Sequence, residues 1–208
     1  LGRQTISDYA TRLGLGKVCG LPLGEKAQGG ETAGHIPQPR EIPYLGDLAL
    51  TAIGQGNVET TPLQIACMTA AIINGGYLVK PGLVRALQTR GGVLAERFPE
   101  GEKIRVLRPL TAAKIRQMMH GVVEYGTGKA AYSGRFLLGG KSGTAETGRF
   151  QGGLPQHYSW FTGFWAKGED KAVITVFVEK PTQGTAVELF GALAEAIGPE
   201  LAGTTLFP

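Results

Sequence analysis

Two apolar runs, residues 158–167 and 171–179, are separated only by Gly168-Glu169-Asp170. So short a connection fits a hairpin, which makes the two runs antiparallel neighbours. A third candidate strand, residues 135–141, precedes them. Residues 185–197 then place Val187, Phe190, Leu193, Ala194 and Ile197 on one helical face, suited to cover a sheet. The earlier part of the chain reads as helical. The expectation is an α+β fold, with helices first, then an antiparallel three-strand meander, then a C-terminal helix.

The helical part has clear punctuation. Residues 4–13 carry Ile6, Tyr9, Ala10 and Leu13 at helical spacing, with Gly14 and Gly16 as stop signals. A short helix is expected over 45–53, ended by Gly54-Gln55-Gly56. Thr61 is placed as an N-cap and Pro62 as the first helical residue of the next helix. Leu63, Ala66, Cys67, Ala70 and Ile73 give that helix an apolar face, and Asn74-Gly75-Gly76 stops it. Residues 77–80 and 83–89 read as short strands, with Gly91-Gly92 as a turn. Thr111 is expected to cap a helix running to about residue 125, with a core stripe of Ile115, Met118, Met119 and Val122. Residues 17–43 hold five glycines and four prolines, too long a stretch of turn chemistry for a plain connector.

Composition narrows the function classes. With 208 residues, 42% hydrophobic and 18% charged, the chain reads as globular and long enough to bury a core, and one domain is the simplest expectation from length. The net charge is +4, but the basic residues are scattered and not interleaved with aromatics, which argues against nucleic-acid binding. Cys19 and Cys67 are too few for a disulfide framework, and Cys67 is expected to be a small core residue. His35, His120 and His157 show no metal-ligand spacing, and no metal or cofactor is expected. His120 is expected at the surface near a helix end. No apolar run reaches the 18 or so residues of a membrane span. The chain opens at Leu1 and reads as a piece of something longer.

The stretch Lys141-Ser142-Gly143-Thr144 carries the chemistry. In an extended strand Ser142 and Thr144 share one face and Lys141 takes the other. Two hydroxyls on one face suit a carboxylate, and Gly143 lets another backbone lie flat against the strand. An extended peptide could then join this edge through main-chain hydrogen bonds, with a backbone N–H facing a developing oxyanion. Lys141 would lower the pKa of nearby hydroxyls and attract anions. Alone, the four residues also suit a turn with a solvated lysine. A phosphate loop fails, because its spacing demands glycine where the chain has Arg135, and Phe136-Leu137-Leu138 read as strand.

Five stretches, in order, resemble the transpeptidase domain of penicillin-binding proteins of the monofunctional class B type. They are Leu15-Gly16-Lys17 with Gly20-Leu21-Pro22-Leu23-Gly24-Glu25, where Cys19 replaces the family's usual Thr; Ile53-Gly54-Gln55-Gly56 with Thr61-Pro62-Leu63-Gln64-Ile65-Ala66; Asn74-Gly75-Gly76; Lys141-Ser142-Gly143-Thr144-Ala145-Glu146; and Ser159-Trp160-Phe161-Thr162-Gly163-Phe164. The resemblance implies a penicillin-binding/β-lactamase-like transpeptidase fold, present in part. It implies serine acyl transfer on the D-Ala-D-Ala ends of peptidoglycan stem peptides, with β-lactam antibiotics acylating the same serine. By motif position, Lys141 would assist proton transfer and the Thr144 N–H would be an oxyanion donor. Ser142 and Thr144 would bind the carboxylate, and the 141–146 edge, including Gly143, Ala145 and Glu146, would align the peptide. Trp160 and Phe161 are expected in the core.

The family's Ser-x-x-Lys and Ser-x-Asn motifs do not occur in this sequence. The resemblance therefore implies a partner: an upstream half of the same domain carrying both. It also implies the extracytoplasmic face of a bacterial membrane. A non-catalytic sensor or cell-wall scaffold is the alternative.

Overall fold

The computed structural model describes residues 2–21, 30–151, 153–179 and 185–201. The Pro22-Leu23-Gly24-Glu25 part of the resemblance lies outside them. Along the chain run α1 (Arg3–Arg12), α2 (Leu45–Ala52), α3 (Pro62–Ile73), β1 (Tyr77–Val79), β2 (Ala86–Gln88), β3 (Leu94–Arg97), β4 (Lys103–Arg105), α4 (Pro109–Glu124), β5 (Leu137–Gln151), β6 (Leu154–Lys167), β7 (Asp170–Val178) and α5 (Thr185–Leu201). The expected α+β order is present.

The meander is antiparallel, in the order β5-β6-β7. It is longer than its apolar runs suggested. β5 starts at Leu137, not at residue 135, and runs to Gln151, while β6 starts at Leu154. The added residues are largely polar, because a strand pairing on one side in partial contact with solvent needs no apolar alternation. An irregularity between Glu146 and Phe150 interrupts this ladder, where Gly148 takes φ +67°. The short ladders β1–β4 and β2–β3 lie apart from the meander. β3 and β4 had no sequence signal, since all their residues are exposed.

Alternation on β6 divides two cores. Phe161 and Trp165 face one side, with Val123 of α4, Val176 of β7, and Phe190 and Ala194 of α5. Phe164 faces the other side, with Ile73 of α3 and Met119 of α4. On that second side, Thr162 Oγ1 lies 2.8 Å from both Thr69 Oγ1 of α3 and Thr175 Oγ1 of β7. On the Phe161 side Gly163 is required, because a Cβ would stand 2.4 Å from the Gly139 carbonyl oxygen and 2.8 Å from the Phe190 ring.

Some expected faces are shifted. α4 begins at Pro109 with Arg108 as N-cap, not Thr111. Proline's fixed φ and missing N–H suit the first helical position, so it outweighs the Thr111 hydroxyl. Met118 is 62% exposed, while Ala112, Met119, Gly121 and Val123 are buried. On α5, Leu193 is 43% exposed because the helix meets the sheet on the narrower stripe Ala186, Val187, Phe190 and Ala194.

The caps of α3 are as expected, with Thr61 at the N-cap and Pro62 following. Its buried residues, however, are Gln64, Thr69, Ala71 and Ile73, and Cys67 is only half-buried. Gln64 is a clasp. Its Oε1 accepts from Thr61 N–H at 2.8 Å, and its Nε2 donates to the Lys17 and Ala33 carbonyls at 2.6 and 2.7 Å. All of its amide hydrogen-bonding groups find protein partners, which permits burial at 1% exposure. Gln64→Leu is expected to cost about 3 kcal/mol, because it leaves three backbone groups unpaired. Gln64→Glu, equal in size, should also destabilise by placing a carboxylate against two carbonyl oxygens. Urea melts check both, and a loss below about 0.5 kcal/mol for the pair would refute the clasp.

Candidate active-site groove

β5 is the outer strand of its sheet, so its second edge is open among the described residues. Lys141 and Thr144 are exposed there, and Ser142, Gly143 and Ala145 are half-buried. A groove of about 510 Å³ runs beside this strand. Its one wall is Lys141-Ser142-Gly143-Thr144-Ala145. The opposite side comes from Ile53, Gly54 and Val58–Thr60 between α2 and α3, and from Ile65 and Met68 of α3. Leu15 also lines it. Glu146 is exposed and pairs with His157 further along the ladder, outside the groove lining.

Register explains how the motif residues divide. Ser142 pairs with Phe161, and Thr144 with Ser159. Cross-strand partners share a face, so both hydroxyls lie on the side of the Phe161 core. Lys141 pairs with Thr162 and Gly143 with Trp160, on the α3 side. The expected alternation is therefore present. Ser142 Oγ lies 3.0 Å from Thr127 Oγ1, in the turn after α4. Lys141 Nζ donates to the Ser142 carbonyl at 2.5 Å.

The floor is aromatic. Trp160 and Phe177 have ring centroids 4.5 Å apart, and Tyr158 and Phe177 5.2 Å apart. All three line the groove. Trp160 is thus a groove residue, while its neighbour Phe161 is fully buried. Both were expected in the core, and strand parity explains the split: adjacent residues must take opposite faces.

Gln55 was not anticipated as a site residue. Its Nε2 donates to the Thr144 carbonyl at 3.1 Å, across 89 positions of sequence. The turn holding it is shaped by Gly54 and Gly56, at φ +76° and +67°. The Gly-Gln-Gly turn therefore fixes the backbone of the Lys-Ser-Gly-Thr strand. His120 is also better placed than expected. Its Nδ1 lies 2.8 Å from the Leu138 carbonyl and its Nε2 3.8 Å from a Glu124 oxygen. It ties α4 to the start of β5.

The strand edge carries the Ser142 and Thr144 hydroxyls on one face and Lys141 with the aromatic floor on the other, and such an edge can pair with an extended peptide ending in a carboxylate. Comparison with known proteins identifies the family and the fold. The family profile described as "Penicillin binding protein transpeptidase domain" matches residues 1–197. Stage V sporulation protein D of Bacillus subtilis is 30% identical over 200 residues, covering 95% of this chain and 29% of that protein. Peptidoglycan D,D-transpeptidase PbpA of Mycobacterium tuberculosis is 32% identical over 157 residues, covering 76% of this chain and 31% of that protein. The chain spans about three tenths of the length of these relatives. Among solved structures, apo penicillin-binding protein 3 from Mycobacterium tuberculosis matches with a TM-score of 0.75 at 28% identity, over 93% of this chain and 46% of that one. The same protein complexed with ampicillin gives 0.74 at the same identity, over 93% and 45%. With a profile match over residues 1–197 and a shared fold, the chain belongs to the penicillin-binding protein transpeptidase family.

Proposed function

We propose that residues 1–208 are the C-terminal portion of one transpeptidase domain, and that its parent is a peptidoglycan D,D-transpeptidase. One observation carries this reading: Lys141–Ala145 stand on an open strand edge and line a groove, with the Thr144 carbonyl held by Gln55. A stem peptide would pair with the 141–146 edge, its terminal carboxylate held by Ser142 and Thr144. The upstream half would supply the serine and its lysine. That serine attacks the penultimate D-Ala carbonyl, the terminal D-Ala leaves with a proton, and an acceptor amine then displaces the serine from the acyl group. Lys141 would assist proton transfer at the cleft, and the Thr144 N–H would stabilise the oxyanion. β-Lactams would acylate the same serine. A relative solved with ampicillin and with aztreonam supports them as ligands. Such a substrate would put the parent at the extracytoplasmic face of the bacterial membrane.

The full-length protein, given a D-Ala-D-Ala stem peptide and an amine acceptor, is expected to release D-Ala and form the cross-linked product. Penicillin labelling without any D-Ala release would contradict the enzyme and identify a sensor or scaffold instead.

A further inference from the structure

A second cavity, of about 440 Å³, lies between the segment after α1, the side of α3 and the β1–β4 ladder. Both cysteines of the chain line it, and both are free. The Cys19 and Cys67 side chains are neighbours in this cavity. We propose that Cys19 and Cys67 form a reversible disulfide that staples the segment after α1 to α3.

The segment bearing Cys19 is held from two directions. The Glu31 carboxylate accepts from the backbone N–H groups of Cys19, Gly20 and Leu21. On the other side, Gln64 Nε2 holds the Lys17 carbonyl at 2.6 Å, one helical turn before Cys67. Gly14 and Gly16 before the Lys17 anchor and Gly20 within the Glu31 anchor, all at positive φ, bend the chain here. Contacts other than the cysteines therefore hold the segment against α3. Both cysteines are half-buried and face a cavity, which leaves access for a small reagent.

The thiols are not of the reactive kind. Burial and contact with Cys67 push Cys19 up to about 12, and burial raises Cys67. A dithiol that gains nothing from thiolate stabilisation forms a stable disulfide and not an oxidising one. Closure would be slow near neutral pH and faster as pH rises and thiolates appear. In the reaction the two S–H bonds are lost and one S–S bond forms. Two electrons and two protons pass to an oxidant of the disulfide class, which leaves as two thiols. The effect reaches the groove, because Leu15 lies close before Cys19 and Ile65 close before Cys67, and both line it. The bridge would tie these two parts of the groove together.

The test equilibrates the full chain with oxidised glutathione at about pH 8, then blocks free thiols with N-ethylmaleimide and digests it. The expected product joins the peptide carrying Cys19 to the peptide carrying Cys67, with the intact chain lighter by two hydrogens and no maleimide taken up. The melting midpoint should rise by about 5–10 °C on oxidation and fall back with dithiothreitol. Cys19→Ser and Cys67→Ser should each lose that shift and keep one alkylatable thiol. Peptide mapping of the unsubstituted chain decides the matter even where a variant folds poorly. Two maleimide adducts, separate glutathione adducts on both cysteines, or a midpoint lowered by oxidation would overturn the proposal.

Discussion

Phe161→Ala is expected to destabilise the chain by about 3–5 kcal/mol, measured by urea or thermal unfolding. Phe161 has no exposed surface and packs on Phe190 of α5, with ring centroids 4.7 Å apart. Its ring also fills the space left by two glycines. A Cβ on Gly140 would stand 2.3 Å from it, and one on Gly128 3.1 Å. No neighbouring side chain at these two positions is available to collapse into the cavity, so most of the packing loss would persist. Gly140→Ala tests the same contact from the other side. It drives a methyl into the ring and the Thr162 carbonyl, and should also destabilise strongly. Because Phe161 lies opposite Ser142, either change should loosen the β5 wall of the groove. A Phe161→Ala chain that unfolds within about 1 kcal/mol of the original would contradict this account of the core.

Lys141→Ala in the complete domain is expected to slow acylation by penicillin about 10²–10⁴-fold, the range for a positioned proton-transfer group. Stability should hardly change. Lys141 is exposed, and its Nζ bonds only to the neighbouring Ser142 carbonyl among the contacts described. That combination separates a chemical role from a structural one: a large rate loss with an unmoved melting midpoint. Surface substitutions of this kind usually fall within about 0.5 kcal/mol. Acylation at the original rate would contradict a role for Lys141. An equal loss of rate and stability would point to the strand, not to the ammonium group.

The helix order and the meander were legible because they depend on local signals. Thr61-Pro62 starts a helix, Asn74-Gly75-Gly76 ends one, and Gly168-Glu169-Asp170 permits a hairpin, whatever surrounds them. The lining of the groove was legible only in part. Strand parity assigns Trp160 and Phe161 to opposite faces, but it does not say which face is core and which borders a groove. That depends on where α3 and α5 pack. Gln64 shows the same limit. As the third helical residue it reads as part of a capping box, and its bonds to Lys17 and Ala33 span 47 and 31 positions. Gln55 meets Thr144 across a still longer separation. Such contacts are set by tertiary packing, and no short window contains them. The far end of β5, residues 147–151, escaped for a related reason, since its pairing with β6 supplies the order that hydrophobic alternation does not.

Labelling with fluorescent penicillin tests the central claim most directly. The isolated 208-residue chain and the complete parent domain are each incubated with the reagent, denatured and resolved for covalent fluorescence. If this chain is one wall of the cleft and the serine lies upstream, the complete domain is labelled and the isolated chain is not. Stable, stoichiometric labelling of the isolated chain would place a nucleophile within these residues and contradict the account.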